Sequence, residues 1–211
     1  VAGVVGIGVV AVSIFLLRSG GGGHGSAGSP AGTPADDGYP HIAAPATGTV
    51  LSVATPDPFT YGIGGIKGGV TSRPLTKGGT PPPPGGVFAY GDYVLSNTGS
   101  QPALLDFTAV DLFVKQTDVP ASAQARCMPQ PGTPPDMCTL PNNASIQAVV
   151  NGSKAPVNEN GQPYLLPGSK VVIRVETTMP VLPSTTQQDE SLQVWQARYI
   201  ANRKAVPVPF P

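Results

Sequence analysis

The stretch "KVVIRVETT", residues 170–178, sets Val171, Ile173 and Val175 on one side of an extended chain and Val172, Arg174 and Glu176 on the other. Side chains alternate between the two faces of a strand, so this period of two makes one face core and the other mostly solvated. The same texture recurs in "TVLSVA", "GVFAYGDYVLSN", "PALLDFTAVDLFV", "SIQAVV" and "LQVWQARYI". Each is rich in β-branched and aromatic residues and bounded by turn clusters. In "VWQARY", Trp195, Ala197 and Tyr199 face one way, and Val194, Gln196 and Arg198 the other. "SNTGS", residues 96–100, joins two of the runs as a turn, with Gly99 suited to a positive φ. No segment beyond Thr49 carries a helical period. About seven short strands with long loops predict an all-β, antiparallel sandwich over residues 49–211.

The chain holds 27 glycines and 26 prolines among its 211 residues, a fraction at which low complexity is suspected. They concentrate in an N-terminal tract and a few loops, which leaves the rest free to fold. The first seventeen residues of "VAGVVGIGVVAVSIFLLR" carry no charge. As a helix they would run about 26 Å at ~1.5 Å per residue, against a bilayer core about 30 Å thick. Arg18 follows at once, as a stop-transfer flank would, so residues 1–18 read as a retained transmembrane helix. The competing reading is a signal-peptide h-region, normally about 7–15 residues long and followed by a small-residue cleavage site. Arg18 lies on the domain side, which by the positive-inside rule argues weakly against export. Ala2 and Gly6 offer one small-residue pair for close helix packing. Residues 19–48 have no apolar periodicity and read as a Gly/Ser/Pro-rich linker, spanning ~30 Å root-mean-square. Neither "GVVGIG" nor "GGIKGGVTS" has the context or spacing of a nucleotide-binding loop.

"YVLSNTGSQPALLDFTAVDLFV", followed by "LLPGSKVVIRVET", resembles the membrane-tethered or secreted immunoglobulin-like domains of Gram-positive cell envelopes. The resemblance covers residues 87–178. It lies in a strand ending at an N-T-G turn, a buried strand after it, and a Pro-Gly turn launching a later strand. The chain departs from that pattern in lacking a lipid-attachment cysteine. A long insert, "GGIKGGVTSRPLTKGGTPPPPGG", also separates its early strands. The resemblance implies an immunoglobulin-like β-sandwich at the cell surface, of a kind that mostly serves as a binding or accessory module without shared catalytic residues.

Cys127 and Cys138 are the two cysteines of the chain, in "RCMPQPGTPPDMC". Their spacing is not the C-x-x-C of a redox or zinc motif. Both histidines, His24 and His41, fall in the linker, so no zinc partners are at hand. Outside the cytoplasm such a pair closes into a disulfide, worth roughly 3 kcal/mol in the loop-entropy account. Prolines 129, 131, 134 and 135 stiffen the loop beforehand and reduce that gain. The alternative takes Cys127, Met128, Met137 and Cys138 together, two thiolates and two thioethers, as a soft Cu(I) site. No other metal and no cofactor is expected.

The net charge is zero, with 11% charged residues and no basic stripe, which excludes nucleic acid as a partner. With no histidine beyond His41, a Ser-His-Asp arrangement has no base, and no catalytic residues are assigned. Asp189 and Glu190 read as a solvated loop. Asp106 and Asp111, in apolar runs, are either buried and paired or turned to water. Asp92, between Tyr90 and Tyr93, either marks a binding surface or belongs to an ordinary Tyr-rich strand. Prolines 81–84 form either a polyproline II docking rod or stiff loop. In "KAVPVPFP" the prolines remove every donor on one side, which suits an edge strand closing the sheet; a loose polyproline tail competes.

These expectations describe a single-pass cell-membrane protein, anchored by residues 1–18, with its C-terminal domain extracytoplasmic. It would act as a protein-binding or accessory subunit within a larger membrane complex of the envelope. The rival is a pilin-like filament subunit with the N-terminal helix in the fibre core. A start at Val rather than Met would suit it. Val5, at the place where type IV pilins carry a glutamate, and the floppy linker oppose it.

Overall fold

A computed structural model describes residues 37–105, 110–194 and 205–211. Within them the chain is all-β, with short 3₁₀ turns at Gln116–Asp118, Gln124–Arg126 and Gln187–Asp189. The strands are β1 (His41–Ile42), β2 (Leu51–Ala54), β3 (Thr60–Thr71), β4 (Phe88–Asn97), β5 (Ala103–Leu104), β6 (Asp111–Lys115) and β7 (Met137–Thr139). They continue as β8 (Asn142–Val150), β9 (Val157–Glu159), β10 (Gln162–Leu165), β11 (Lys170–Thr177), β12 (Glu190–Val194) and β13 (Val206–Val208). A six-stranded sheet runs β1-β8-β11-β4-β3-β2, a four-stranded sheet β13-β12-β6-β7, and a small third sheet β5-β10-β9. Pairing is antiparallel except for β1, which lies parallel to β8.

The alternation in "KVVIRVETT" does its work in β11. Val171, Ile173 and Val175 enter the main core with Tyr93 and Leu95 of β4, Leu112 and Val114 of β6, and Leu192 and Val194 of β12. Each such side chain removes apolar surface worth about 1.5–3 kcal/mol from water. The four-stranded sheet comes so close to β4 that a Cβ at Gly91 would stand 2.6 Å from Leu192 Cδ2. Tyr61 ties in the third sheet, its hydroxyl donating to the Leu104 carbonyl at 2.6 Å. The N-T-G turn acts as a pin: buried Asn97 donates through Nδ2 to the carbonyls of Gln101 and Leu165 and accepts the Gly99 amide. Gly99 is not among the positive-φ glycines. What it needs is room, because a Cβ there would lie 3.0 Å from Thr60 Oγ1.

Two elements differ from expectation. The glycine-rich insert supplies most of β3, the longest strand described. Glycine weakens a strand, yet here β2 and β4 pair with β3 on either side, and buried Tyr61 and Ile63 anchor it. Its glycines serve close approach: a Cβ at Gly65 would meet the Pro209 carbonyl oxygen at 2.7 Å. The other is the β9–β10 hairpin, turned by Asn160 (φ 53) and Gly161 (φ 79). Asn-Gly is the residue pair that a two-residue hairpin turn favours.

The linker boundary moves as well. The compact unit takes in the described residues from 37 onward. Residues 37–48, assigned to the linker by composition, join it through β1, through Tyr39 on the core, and through the Gly48 amide donating to the Gly65 carbonyl at 2.9 Å. His41 is therefore part of the folded unit, exposed, with Nε2 at 2.9 Å from Asp37 Oδ2. Residues 1–18, with the expected membrane helix, lie outside the described residues, as do Asp106, Trp195, Ala197 and Tyr199. Among the described residues no helix is long and apolar enough to cross a membrane. Among the described residues β13 pairs with β12 alone, Val208 is buried and Pro207 exposed, which is the edge strand that the alternating prolines suggest.

Candidate binding surface

The face of the six-stranded sheet turned away from the main core carries β4's Tyr90, Asp92 and Val94 and β11's Val172, Arg174 and Glu176. Alternation alone makes this the solvated side, but the structure covers much of it. Asp92 and Glu176 are buried, and Val172 forms a second apolar cluster with Ala148 and Val150 of β8. Arg174 grips Asp92 with both arms, Nε to Oδ1 at 2.7 Å and an η-nitrogen to Oδ2 at 2.8 Å. Its guanidinium also stacks 3.8 Å from the Tyr90 ring centre. These contacts, the Asp92 bonds foremost, hold Arg174 more firmly charged. Asp92 is thus spent on a structural ion pair. Leu75, from the loop after β3, donates its amide to Glu176 Oε1 at 2.7 Å. Burial still raises that carboxyl above its ordinary range, with the Leu75 amide and Arg174 pulling the other way.

Beyond this pair the same face opens into a groove of about 550 Å³. Val94 and Val150 lie on the sheet side, and Ala44, Pro45 and Val50 come from the segment between β1 and β2. Gly62 and Gly64 of β3 let that segment approach: a Cβ at Gly64 would stand 3.0 Å from Thr47, and one at Gly62 3.3 Å from Val50. Val50 is 57% exposed, and Ile42, which pairs with Val150, is 37% exposed. Lys170 is the charged residue of the lining. A concave apolar site with a few polar groups at its rim is the usual form of a binding site. Nothing in the strand pattern reveals it, because it depends on the path of residues 44–50, most of which composition assigns to the linker.

The cysteines form a disulfide, with the Cα atoms of Cys127 and Cys138 5.2 Å apart. It joins a loop to β7, where Cys138 is fully buried, and Met128 and Thr139 bridge beside it. In the bonded form neither sulfur is a thiolate, so the soft set required for Cu(I) is incomplete. The two methionines also part company, Met137 buried and Met128 51% exposed. Among the described residues no three His, Cys, Asp or Glu side chains gather in a way that could hold a metal ion.

Asp111, half-buried, accepts from the Thr139 hydroxyl at 3.1 Å and from the Asn142 side chain. It anchors β6 to neighbouring strands. Prolines 81–84 end in a turn, closed by the Gly86 amide on the Pro83 carbonyl, that feeds β4. The solvated-loop reading of Asp189 and Glu190 is half right. Asp189 pairs with Lys115 Nζ at 2.6 Å and is held down to about 2 by that bond and by Thr186. Glu190 is 6% exposed, and among the described residues neither carboxylate oxygen has a hydrogen-bond partner. Burial pushes it up to about 8, Asp189 and Asp118 add to the rise, and the Gly69 amide opposes it without completing a bond. The sequence carries a signal of this burial, since Glu190, Leu192 and Val194 alternate onto one face of β12. Comparison with family models, with curated proteins and with solved structures finds no match to this chain.

Proposed function

We propose that this chain is a protein-binding or accessory module of a cell-envelope complex. Residues 1–18 would anchor it in the membrane, and its immunoglobulin-like β-sandwich would stand outside the cytoplasm. The observation that carries the binding reading is the glycine-floored apolar groove with Val50 and Ile42 exposed beside it. Exposed apolar surface around a concavity is what a partner covers. The disulfide supports an oxidising compartment. Asp92 is engaged in an ion pair with Arg174, and Asp111 accepts a hydrogen bond from Thr139.

The test is a native pull-down with the full chain from detergent-solubilised membranes, comparing wild type with Val50→Glu and Met128→Glu. Both positions are largely exposed, so neither change touches the core. Proteins retained by wild type and Met128→Glu but lost with Val50→Glu support the groove as the binding surface. A captured set that Val50→Glu leaves unchanged refutes it.

A further inference from the structure

Glu190 opens β12 and points between the two large sheets. A Cβ on Gly68 of β3 would collide with its Oε2 and would stand 3.1 Å from the ring of Phe210, just past β13. The carboxyl therefore lies in a recess that glycine leaves open, beside the C-terminal aromatic ring. Among the described residues its surroundings offer no uncommitted cation. Asp189 stands on its own turn, with Lys115 of β6 committed to it at 2.6 Å. Asp118, after β6, is itself raised by burial and by Asp189, and its Oδ2 has no hydrogen-bond partner. Lys67, next to Gly68 on β3, is exposed, as is Asp136, which faces Lys115. Residues 205–211, the β13 segment, include no titratable side chain. A proton on Glu190 removes the charge that this site cannot balance.

We propose that Glu190 is a proton-dependent latch for the C-terminal strand: protonated, it packs under Phe210, and ionised, it frees β13 from β12. On losing its proton to solvent, the carboxylate needs water. The recess has two walls, and they differ in how easily they yield. Gly68 belongs to a long strand paired on both sides. Phe210 follows a three-residue strand that, among the described residues, is paired on one side only. Local opening follows the weakest unit, so β13 leaves first. Its departure would uncover the outer edge of β12, an unpaired strand edge ready for another chain.

The experiment is hydrogen exchange of the peptide 205–211 in the full chain, wild type against Glu190→Gln at each pH. Comparison at equal pH cancels the intrinsic pH dependence of exchange. The wild-type to variant rate ratio should rise by up to about tenfold per pH unit from pH 6 to 8 and then level off. A ratio independent of pH overturns the latch. Should the variant fail to fold, the wild-type side-chain carboxyl signal of Glu190 decides by NMR. A midpoint near 8 accompanied by shifts at Val206 and Val208 supports the proposal. A midpoint near the ordinary 4.5, or titration without movement of β13, overturns it.

Discussion

A single carboxyl can set the pH range in which this domain is firmest. Glu190 has a folded-state pKa of about 8 against an ordinary 4.5. Between those values the folded chain keeps a proton that the unfolded chain has released. Stability therefore falls as pH rises through this window, by up to about 1.4 kcal/mol per unit. Below it both states are protonated, above it both are ionised, and the contribution is flat. Glu176 and Asp118 are also raised by burial and push the same way. Asp189 is lowered, so its contribution is lost only as pH falls toward about 2, outside this window. We expect urea midpoints of the wild type to decline from pH 5 to 8 and those of Glu190→Gln to decline less. Equal slopes would count against a buried acid at 190. Alternation carries this residue onto the core face, but adjacent charges in a Gln- and Ser-rich stretch suggest a loop. Asp92 shows the converse: the sequence has Arg174 and Asp92 far apart, and only the β4–β11 register makes them a pair.

Among the elements, β11, β4 and β8 were legible because their apolar residues alternate, and β3 was hidden because glycines interrupt its pattern. Glycine carries no side chain with which to announce a face. Its role here is defined by what lies opposite, and that is information held by other strands. The hairpin signal at Asn160 and Gly161 is weak in the sequence, since β9 and β10 are too short and polar to flank it clearly. The two kinds of close approach should respond differently to an added methyl. At Gly91 the neighbour is the end of Leu192, a side chain that can turn aside. At Gly65 it is the backbone carbonyl of Pro209, which cannot. Gly65→Ala should cost about 1–3 kcal/mol, the scale of overpacking, and Gly91→Ala less. Denaturant titration of both variants checks this, and the reverse order would mean that the C-terminal segment is not fixed on β3.

For the molecule as a whole, composition places the start of the folded unit at residue 49, later than the pairing of residues 37–48 allows. Prolines and alanines in residues 37–48 look like tether, yet their backbone is used: the Ile42 carbonyl accepts the Asn151 amide at 2.7 Å, and Gly48 binds Gly65. A chain beginning at residue 37 should melt cooperatively and without detergent. One beginning at residue 49 loses β1, Tyr39 and the groove wall, and should melt several degrees lower, at about 2–4 °C per kcal/mol for a domain of this size. Equal melting temperatures in a calorimeter would return residues 37–48 to the tether. The disulfide has a mechanical consequence. Cys127 and Cys138 are separated by 11 positions in sequence, and their Cα atoms are 5.2 Å apart. An extended chain gains up to ~3.6 Å per residue, so the intervening segment could otherwise stretch by roughly 35 Å. While the bond holds, tension bypasses that segment: force is carried from sulfur to sulfur, and the unravelled protein reaches that much less far.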